Sequence, residues 1–431
     1  MIKFLKVTLN NNFWLTGTLT YCTAFIAMIL IPVYYWFLPP LMILWGLVWI
    51  FEIRKRTCFI EQIPPSHKGL YILLFCFYLW QIVGMLYTDN QHEGWRNISL
   101  RFSLFFFPLI LINPGEFIRR RIMTLVQVFA ISAFLYVLFC FGYALFRSLD
   151  FQNGILTFNP YMPDYDWVNY FYGFQLAIFQ HPSYLSMYII LALFIALESL
   201  FEKSGKRKIK IFWFAVSIIL LISIYFLSSR AAILTTIITL PAYFLYRFRM
   251  YGINRRVGIS VLVTFLISIP VLLTNPRVNF YLKGESKKEW VDRALHESRI
   301  VMWTSAFNIV RNNIIFGVGT GDTQDELNKE YLKSSLRSEV KGKNFNAHNQ
   351  FIEVMVENGL IGLMLLVSVF IMIFYISLSK KNILYFIFAI IVIVSFMFET
   401  MLNRLAGITF FAIFSFLLLH SGSGIKKSSE L

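Results

Sequence analysis

The sequence predicts an all-α polytopic membrane protein, with about twelve transmembrane helices and one large, partly helical loop late in the chain. Three observations predict it. Of 431 residues, 58% are hydrophobic and 14% charged, whereas soluble domains carry about a quarter charged residues. This chain lacks the polar surface to cover itself in water. The apolar residues fall into runs near the roughly 17–25 residues that a bilayer core requires. The basic residues concentrate in alternate connections, as they do where they hold cytoplasmic loops in place. Intrinsic disorder, a coiled coil and a secreted disulfide scaffold are excluded by the same composition. A net charge of +16 would point a soluble protein toward nucleic acid; here topology explains it, and no nucleic-acid partner is expected.

The apolar runs are 13–30, 35–51, 69–87, 98–113, 122–146, 182–201, 211–228, 231–246, 257–274, 359–378, 383–400 and 404–420. With both termini cytoplasmic, the inner segments are 1–12, 52–68, 114–121, 202–210, 247–256, 379–382 and 421–431, and they hold twenty-two Lys and Arg. Clusters such as Arg54-Lys55-Arg56, Arg119-Arg120-Arg121 and Lys206-Arg207-Lys208 lie there. The short outer connections and adjoining span ends carry only Arg96, Arg101, Arg147, Arg230 and Arg404. One span more or fewer spoils this alternation. The organisation expected is a membrane domain over 1–274 (spans one to nine), a large loop over 275–357, and a second membrane part over 358–431 (spans ten to twelve). Cys22, Cys58, Cys76 and Cys140 lie in or beside apolar runs, so no disulfide framework is implied. Further spans follow the first apolar run, and no cleavable signal is expected.

Two outer segments exceed simple turns. Residues 147–181 are rich in Tyr, Phe, Trp and Asn, residue types that sit at the headgroup level. Asp164 and Asp166 fit such an interfacial loop, and no carboxylate cluster has the spacing of a metal site; no metal or cofactor is expected. Residues 275–357 hold 12 basic and 11 acidic side chains. Within them Trp290 to Val310 reads as a helix without Gly or Pro, placing His296, Arg299 and Trp303 on one face. It ends before Gly317-Val318-Gly319-Thr320-Gly321. Thr323-Gln324-Asp325-Glu326 then fits a capping box for a second helix. Asn346-Ala347-His348-Asn349 leads into the tenth span, with His348 near its outer mouth.

Each candidate has two readings. His348-Asn349, nine residues, then Gly359-Leu360-Ile361-Gly362 is either a polar helix start before small packing residues or part of a catalytic site. Arg230, after Leu227-Ser228-Ser229, either snorkels to headgroups or faces a polar cavity, since charges at membrane depth are costly and mark sites. Arg299 alone is an ordinary helix residue. The glycine run lacks the preceding strand of a dinucleotide fingerprint; Gly319 and Gly321 either let backbone approach a phosphate or sugar, or make a turn. His181 before Pro182 either caps span six or faces substrate. Glu399 and Arg404 are expected to pair across the last outer turn.

Taken together, these pieces resemble the O-antigen ligase/polymerase family of bacterial inner-membrane glycosyltransferases. The resemblance rests on Leu227-Ser228-Ser229-Arg230, Ser298-Arg299 with Trp303, Phe316 to Asp322, and His348-Asn349 with Gly359 and Gly362. It covers most of 180–375; the first 180 residues match in hydropathy, with a looser likeness at Ser103 to Pro108. It implies a GT-C-like fold, an inner-membrane location with a periplasmic active site, and transfer of a glycan from undecaprenyl diphosphate to an acceptor hydroxyl. The acceptor is lipid A-core for a ligase or a second lipid-linked glycan for a polymerase. The catalytic roles implied fall on Arg230, Arg299 and His348, and substrate contacts on Arg230, Arg299, Gly319, Gly321, Asn349 and His181. Membrane lipids surround the spans. A lipid-linked oligosaccharide flippase is the alternative of another class, but it would place ionisable residues near the midplane of repeated halves, and no repeat is present.

Overall fold

The computed structural model describes residues 17–53, 65–112, 114–152, 155–162, 165–202, 205–251, 298–334 and 344–421. Apolar runs long enough to close their own backbone hydrogen bonds fold as helices, the form a chain takes where water cannot serve its backbone. In order the helices, polar ones included, are α1 (Thr18–Val33), α2 (Leu38–Ile53), α3 (Pro65–Gly84), α4 (Gln91–Arg101), α5 (Ser103–Leu111), α6 (Gly115–Arg119) and α7 (Ile122–Ser148). Then come α8 (Pro182–Phe201), α9 (Arg207–Leu227), α10 (Arg230–Tyr251), α11 (Ser298–Asn312), α12 (Thr323–Lys333), α13 (Gln350–Ser379), α14 (Ile383–Phe398) and α15 (Leu405–Ser421).

Among the described residues seven helices are long and apolar enough to cross a membrane: Tyr35–Glu52, His67–Tyr87, Ile122–Ser148, Pro182–Phe201, Arg207–Leu227, Arg230–Met250 and Gln350–Ser379. Three shorter apolar helices, α1, α14 and α15, match other expected spans. The expected span 257–274 lies outside the described residues. The expected span 98–113 is divided into α4 and α5, with the joint at Phe102. Its cause is composition: α4 is polar, capped by the Asn90 side chain on the Glu93 amide, and only α5 is apolar. The described chain is helical as expected, apart from one short stretch between α7 and α8. There the chain forms two antiparallel hairpins, β1 (Leu149–Gln152) with β2 (Ile155–Phe158), and β3 (Tyr161–Met162) with β4 (Tyr165–Asn169). Aromatic and β-branched residues favour this pleated form.

The chain divides into two compact units. The first comprises Met1–Ile63, Ile110–Thr236 and Leu417–Leu431; the second comprises Pro64–Leu109 and Ile237–Phe416. In the first, α8 packs on α7 and α9, and α1 on α7. Side chains of α8 from Tyr184 to Ala196 are all buried, so this helix is the unit's centre. The Ser132 hydroxyl donates to the Ile29 carbonyl, tying α7 to α1.

In the second unit α13 is the organiser, packed against α3, α14 and α11. The polar helices α11 and α12 close an apolar cluster of Met302, Ala306, Ile309, Val310, Leu327 and Tyr331 onto Val356. Here α13 is broken: Gly359 has φ 65° and ψ −163°, a region open essentially to glycine alone. A break frees backbone groups that need partners. The loop after α11 supplies them, because the amides of Val318 and Gly319 donate to the carbonyls of Val356 and Glu357 at 2.9 and 3.0 Å. In return the Leu360 amide donates to the Ile314 carbonyl at 2.8 Å, and the Trp80 indole donates to the Asn358 carbonyl at 3.0 Å. Gly317 is required for the same fit, since a Cβ there would lie 2.5 Å from the Glu357 backbone.

Gly359→Ala is therefore expected to destabilise the protein by at least about 1–3 kcal/mol, the cost of forcing a side chain into that backbone region. Gly142→Ala on α7, where a Cβ meets nothing within 4 Å, is expected to be neutral or mildly stabilising. Unfolding titrations of both purified variants check this; equal behaviour would refute the account of the break.

Candidate functional site

The residues singled out in the second unit gather around the first turns of α13. Asn349 is its N-cap, and its side-chain oxygen accepts from the amides of Phe351 and Ile352. That cap lets the chain enter the helix directly from His348, which adopts φ 46°, a left-handed conformation uncommon for a non-glycine residue. The imidazole remains partly exposed. His348 Nδ1 lies 3.1 Å from Glu399 Oε2. Arg299 reaches the other oxygen of Glu399 at 4.0 Å, with its guanidinium over the Phe398 ring. Trp303, one turn along α11 from Arg299, donates its indole N–H to the Ala347 carbonyl at 2.9 Å and so fixes α11 to the histidine loop. One carboxylate thus bridges the imidazole and the guanidinium.

Glu399 was expected to pair with Arg404; the structure turns it to His348 and Arg299. The reason is local: α14 ends at Phe398, and Glu399 leaves the helix with extended backbone. Sequence reasoning missed its role because 51 residues separate it from His348. The available signal was an acidic residue at the end of an otherwise uncharged apolar run.

Beneath this group lies a buried polar network. Arg101, 2% exposed, forms a two-pronged ion pair with Glu357, 1% exposed, at 2.5 and 2.8 Å. The same guanidinium donates to Gln81 at 2.9 Å and to Asn403. Asn403 donates its amide to Glu353 at 3.0 Å, and Glu353 also accepts from the Ala347 amide at 2.9 Å. The helix α12 covers this region, and burial beside the Glu353 carboxylate pushes the Tyr331 phenol well above its ordinary range. Tyr331 therefore stays protonated and does not compete as a base.

Other expected site residues have different surroundings. Gly319 and Gly321 are buried, and a Cβ on either would collide with Thr88 or the Asn90 carbonyl; close backbone packing accounts for them. The expected capping box at Thr323 is corrected, because Asp322 is the N-cap. Its carboxylate accepts from the amides of Asp89 and Asn90 at 2.9 and 2.7 Å, docking the loop before α4. In the first unit His181 caps α8, its Nδ1 accepting from the Ser183 amide at 3.2 Å. Arg230 opens α10 after a two-residue joint in which Ser228 has φ 50°. The structure thus brings together Arg299, His348 and Asn349; Arg230 and His181 belong to the other unit. The helix expected over Trp290–Val310 is described from Ser298 on, and His296, Asp164 and the Asp166 side chain lie outside the described residues.

Removing one partner of a buried ion pair strands the other charge, at a cost of about 3–5 kcal/mol. Glu357→Ala is expected to show that loss in an unfolding titration, while Arg101→Met combined with Glu357→Met is expected to lose less than either single change. Additive losses would mean the pair is not coupled.

Comparison with known proteins bears on this geometry. A protein of Haemophilus influenzae described as uncharacterized is 23% identical over 354 residues, covering 80% of each chain. Residues 215–367 match the family described as O-antigen ligase. The matched segment runs from within α9 past the break of α13 and contains Arg230, Arg299 and His348, whereas Arg101, Glu399 and Asn403 lie outside it. Residues 215–367 are thus similar to a family that covers both ligases and polymerases, a likeness that suggests a glycosyltransferase-like enzyme and accords with the apolar helices of the chain.

Proposed function

We propose that this protein transfers a glycan from undecaprenyl diphosphate to an acceptor hydroxyl at the periplasmic face of the bacterial inner membrane, in the manner of an O-antigen ligase with lipid A-core as acceptor. Both termini are cytoplasmic in this reading. The observation that carries it is the bridge at the start of α13, with His348 Nδ1 3.1 Å from Glu399 and Arg299 at the other carboxylate oxygen.

The chemistry needs three things. A hydroxyl must lose a proton, a sugar–phosphate bond must break, and a diphosphate must leave. With Nδ1–H donating to Glu399, the imidazole turns Nε2 outward as an acceptor, which is how a carboxylate selects a histidine tautomer. The hydroxyl oxygen attacks the anomeric carbon while its proton passes to His348 Nε2. The bond from that carbon to the diphosphate breaks, and the electron pair leaves with the phosphate oxygen. Arg299 meets the developing charge; its fixed, permanently charged fork suits phosphate, and the resemblance gives Arg230 a donor contact as well. Preorganised charge of this kind is usually the largest catalytic contribution. One displacement without a covalent intermediate inverts the anomeric centre.

Arg230→Ala, Arg299→Ala and His348→Ala are each expected to abolish transfer while the protein still accumulates in the membrane. Arg299→Lys is expected to retain a small fraction of activity, since it keeps charge and loses the fork. Glu399→Gln is expected to lower turnover by about 10²–10⁴-fold, as loss of base orientation does. Lipopolysaccharide gels of a deletion strain complemented with each variant provide the measurement; near-normal transfer by all three alanine variants would overturn the mechanism. The same gel separates the two family activities. A core without long chains, with lipid-linked polymer accumulating, marks a ligase, and a core bearing one repeat unit marks a polymerase.

A further inference from the structure

We propose that Arg101 is a positioning residue for the His348–Glu399 pair, acting through Asn403 and Glu353 rather than through any contact with substrate. This rests on the reading of His348 as proton acceptor. Four N–H directions of the guanidinium are engaged: two on Glu357, one on Gln81 and one on Asn403. From Asn403 two routes reach the pair. One passes through Glu353, which holds the Ala347 amide next to His348. The other is the turn itself: Met401–Asn403 is a single 3-10 turn that follows Glu399, and its Leu402 amide donates to Gln350 at 2.7 Å. The histidine loop and the glutamate turn are thus pinned to one buried cation.

The histidine needs such a hold. Its left-handed backbone persists only where the surroundings over-determine it, and Ala347 is one of the contacts that do so. The charged groups facing this region are Arg101, Glu353, Glu357, Glu399 and Arg299, with Tyr331 covering from α12. A lysine at 101 would keep a positive charge and lose the planar fork that reaches Glu357 and Asn403 at once. The Phe102 joint that divides α4 from α5 follows directly after Arg101.

The test uses the full-length protein in lipid nanodiscs, with Arg101→Lys, Asn403→Ala and the double variant. Each single change is expected to lower kcat by about 10- to 100-fold, the penalty of a misplaced catalytic group. KM for the lipid-linked donor is expected to stay within about twofold, because donor contacts are untouched. The double variant is expected to be no slower than Arg101→Lys, since both changes break the same Arg101–Asn403 link. Two readouts need no activity: hydrogen exchange at the Ala347 amide is expected to accelerate, and the nitrogen NMR signal of the His348 imidazole to lose its Glu399-bonded signature. Unchanged exchange and an unchanged imidazole signal in both single variants overturn the positioning role, whatever turnover shows. So does a raised KM with unchanged kcat. Altered exchange and imidazole signals in these variants, combined with a His348→Ala protein that still transfers glycan, would leave the positioning contact standing and refute the reading of His348 as the base.

Discussion

An irregular backbone inside a helix of membrane length is tolerated only where protein groups serve the peptide bonds that the break exposes. The break at Gly359 sets that constraint, and much of the second unit answers it. Loop 314–319 returns to α13 as a short backbone ladder, Trp80 covers the Asn358 carbonyl, and the glycines of the loop permit the approach. The helices α11 and α12 are held in register with α13 by the same ladder, and Arg299 is carried on α11. The position of a candidate catalytic arginine therefore depends on the repair of a broken helix.

Electrostatics in this unit is layered. A buried carboxylate–guanidinium pair is expensive to desolvate and repays the cost only when every remaining donor is matched. Arg101 comes close to that condition, leaving only its Nε without a partner. Above it Glu399 faces an imidazole and a guanidinium at a partly exposed surface, where both remain within reach of a ligand. The deep pair gives rigidity, and the shallow group offers chemistry. Such an arrangement suits a reaction in which charge develops on a diphosphate and must meet dipoles that do not need to reorganise.

Composition and run length made the membrane character legible, because apolar periodicity is a local property of the chain. The His-Asn pattern before α13 was legible for a local reason too: an asparagine at a helix start caps the free amides that follow. What stayed hidden was non-local. Glu399 reads as a turn residue until the fold sets it beside His348. Arg101 reads as a span-end charge until it is seen buried against Glu357. The single span expected over 98–113 failed because hydropathy averaged a polar α4 with an apolar α5. The N-cap position is Asp322 rather than Thr323, and its carboxylate makes no cap bond but docks a distant loop instead. Gly319 and Gly321 read equally as a ligand cradle or a turn, because glycine permits close approach and sequence alone does not say whether backbone or ligand approaches.

The central claim divides labour at the site: Arg299 holds the diphosphate, and His348 takes the proton. Donor affinity measured separately from turnover tests it most directly, using purified His348→Ala and Arg299→Ala proteins with an undecaprenyl-diphosphate-linked glycan. The account predicts that His348→Ala binds the donor as tightly as the unmodified protein and does not turn over, while Arg299→Ala binds it much more weakly. Lost donor affinity in His348→Ala, with unaltered affinity in Arg299→Ala, would contradict it.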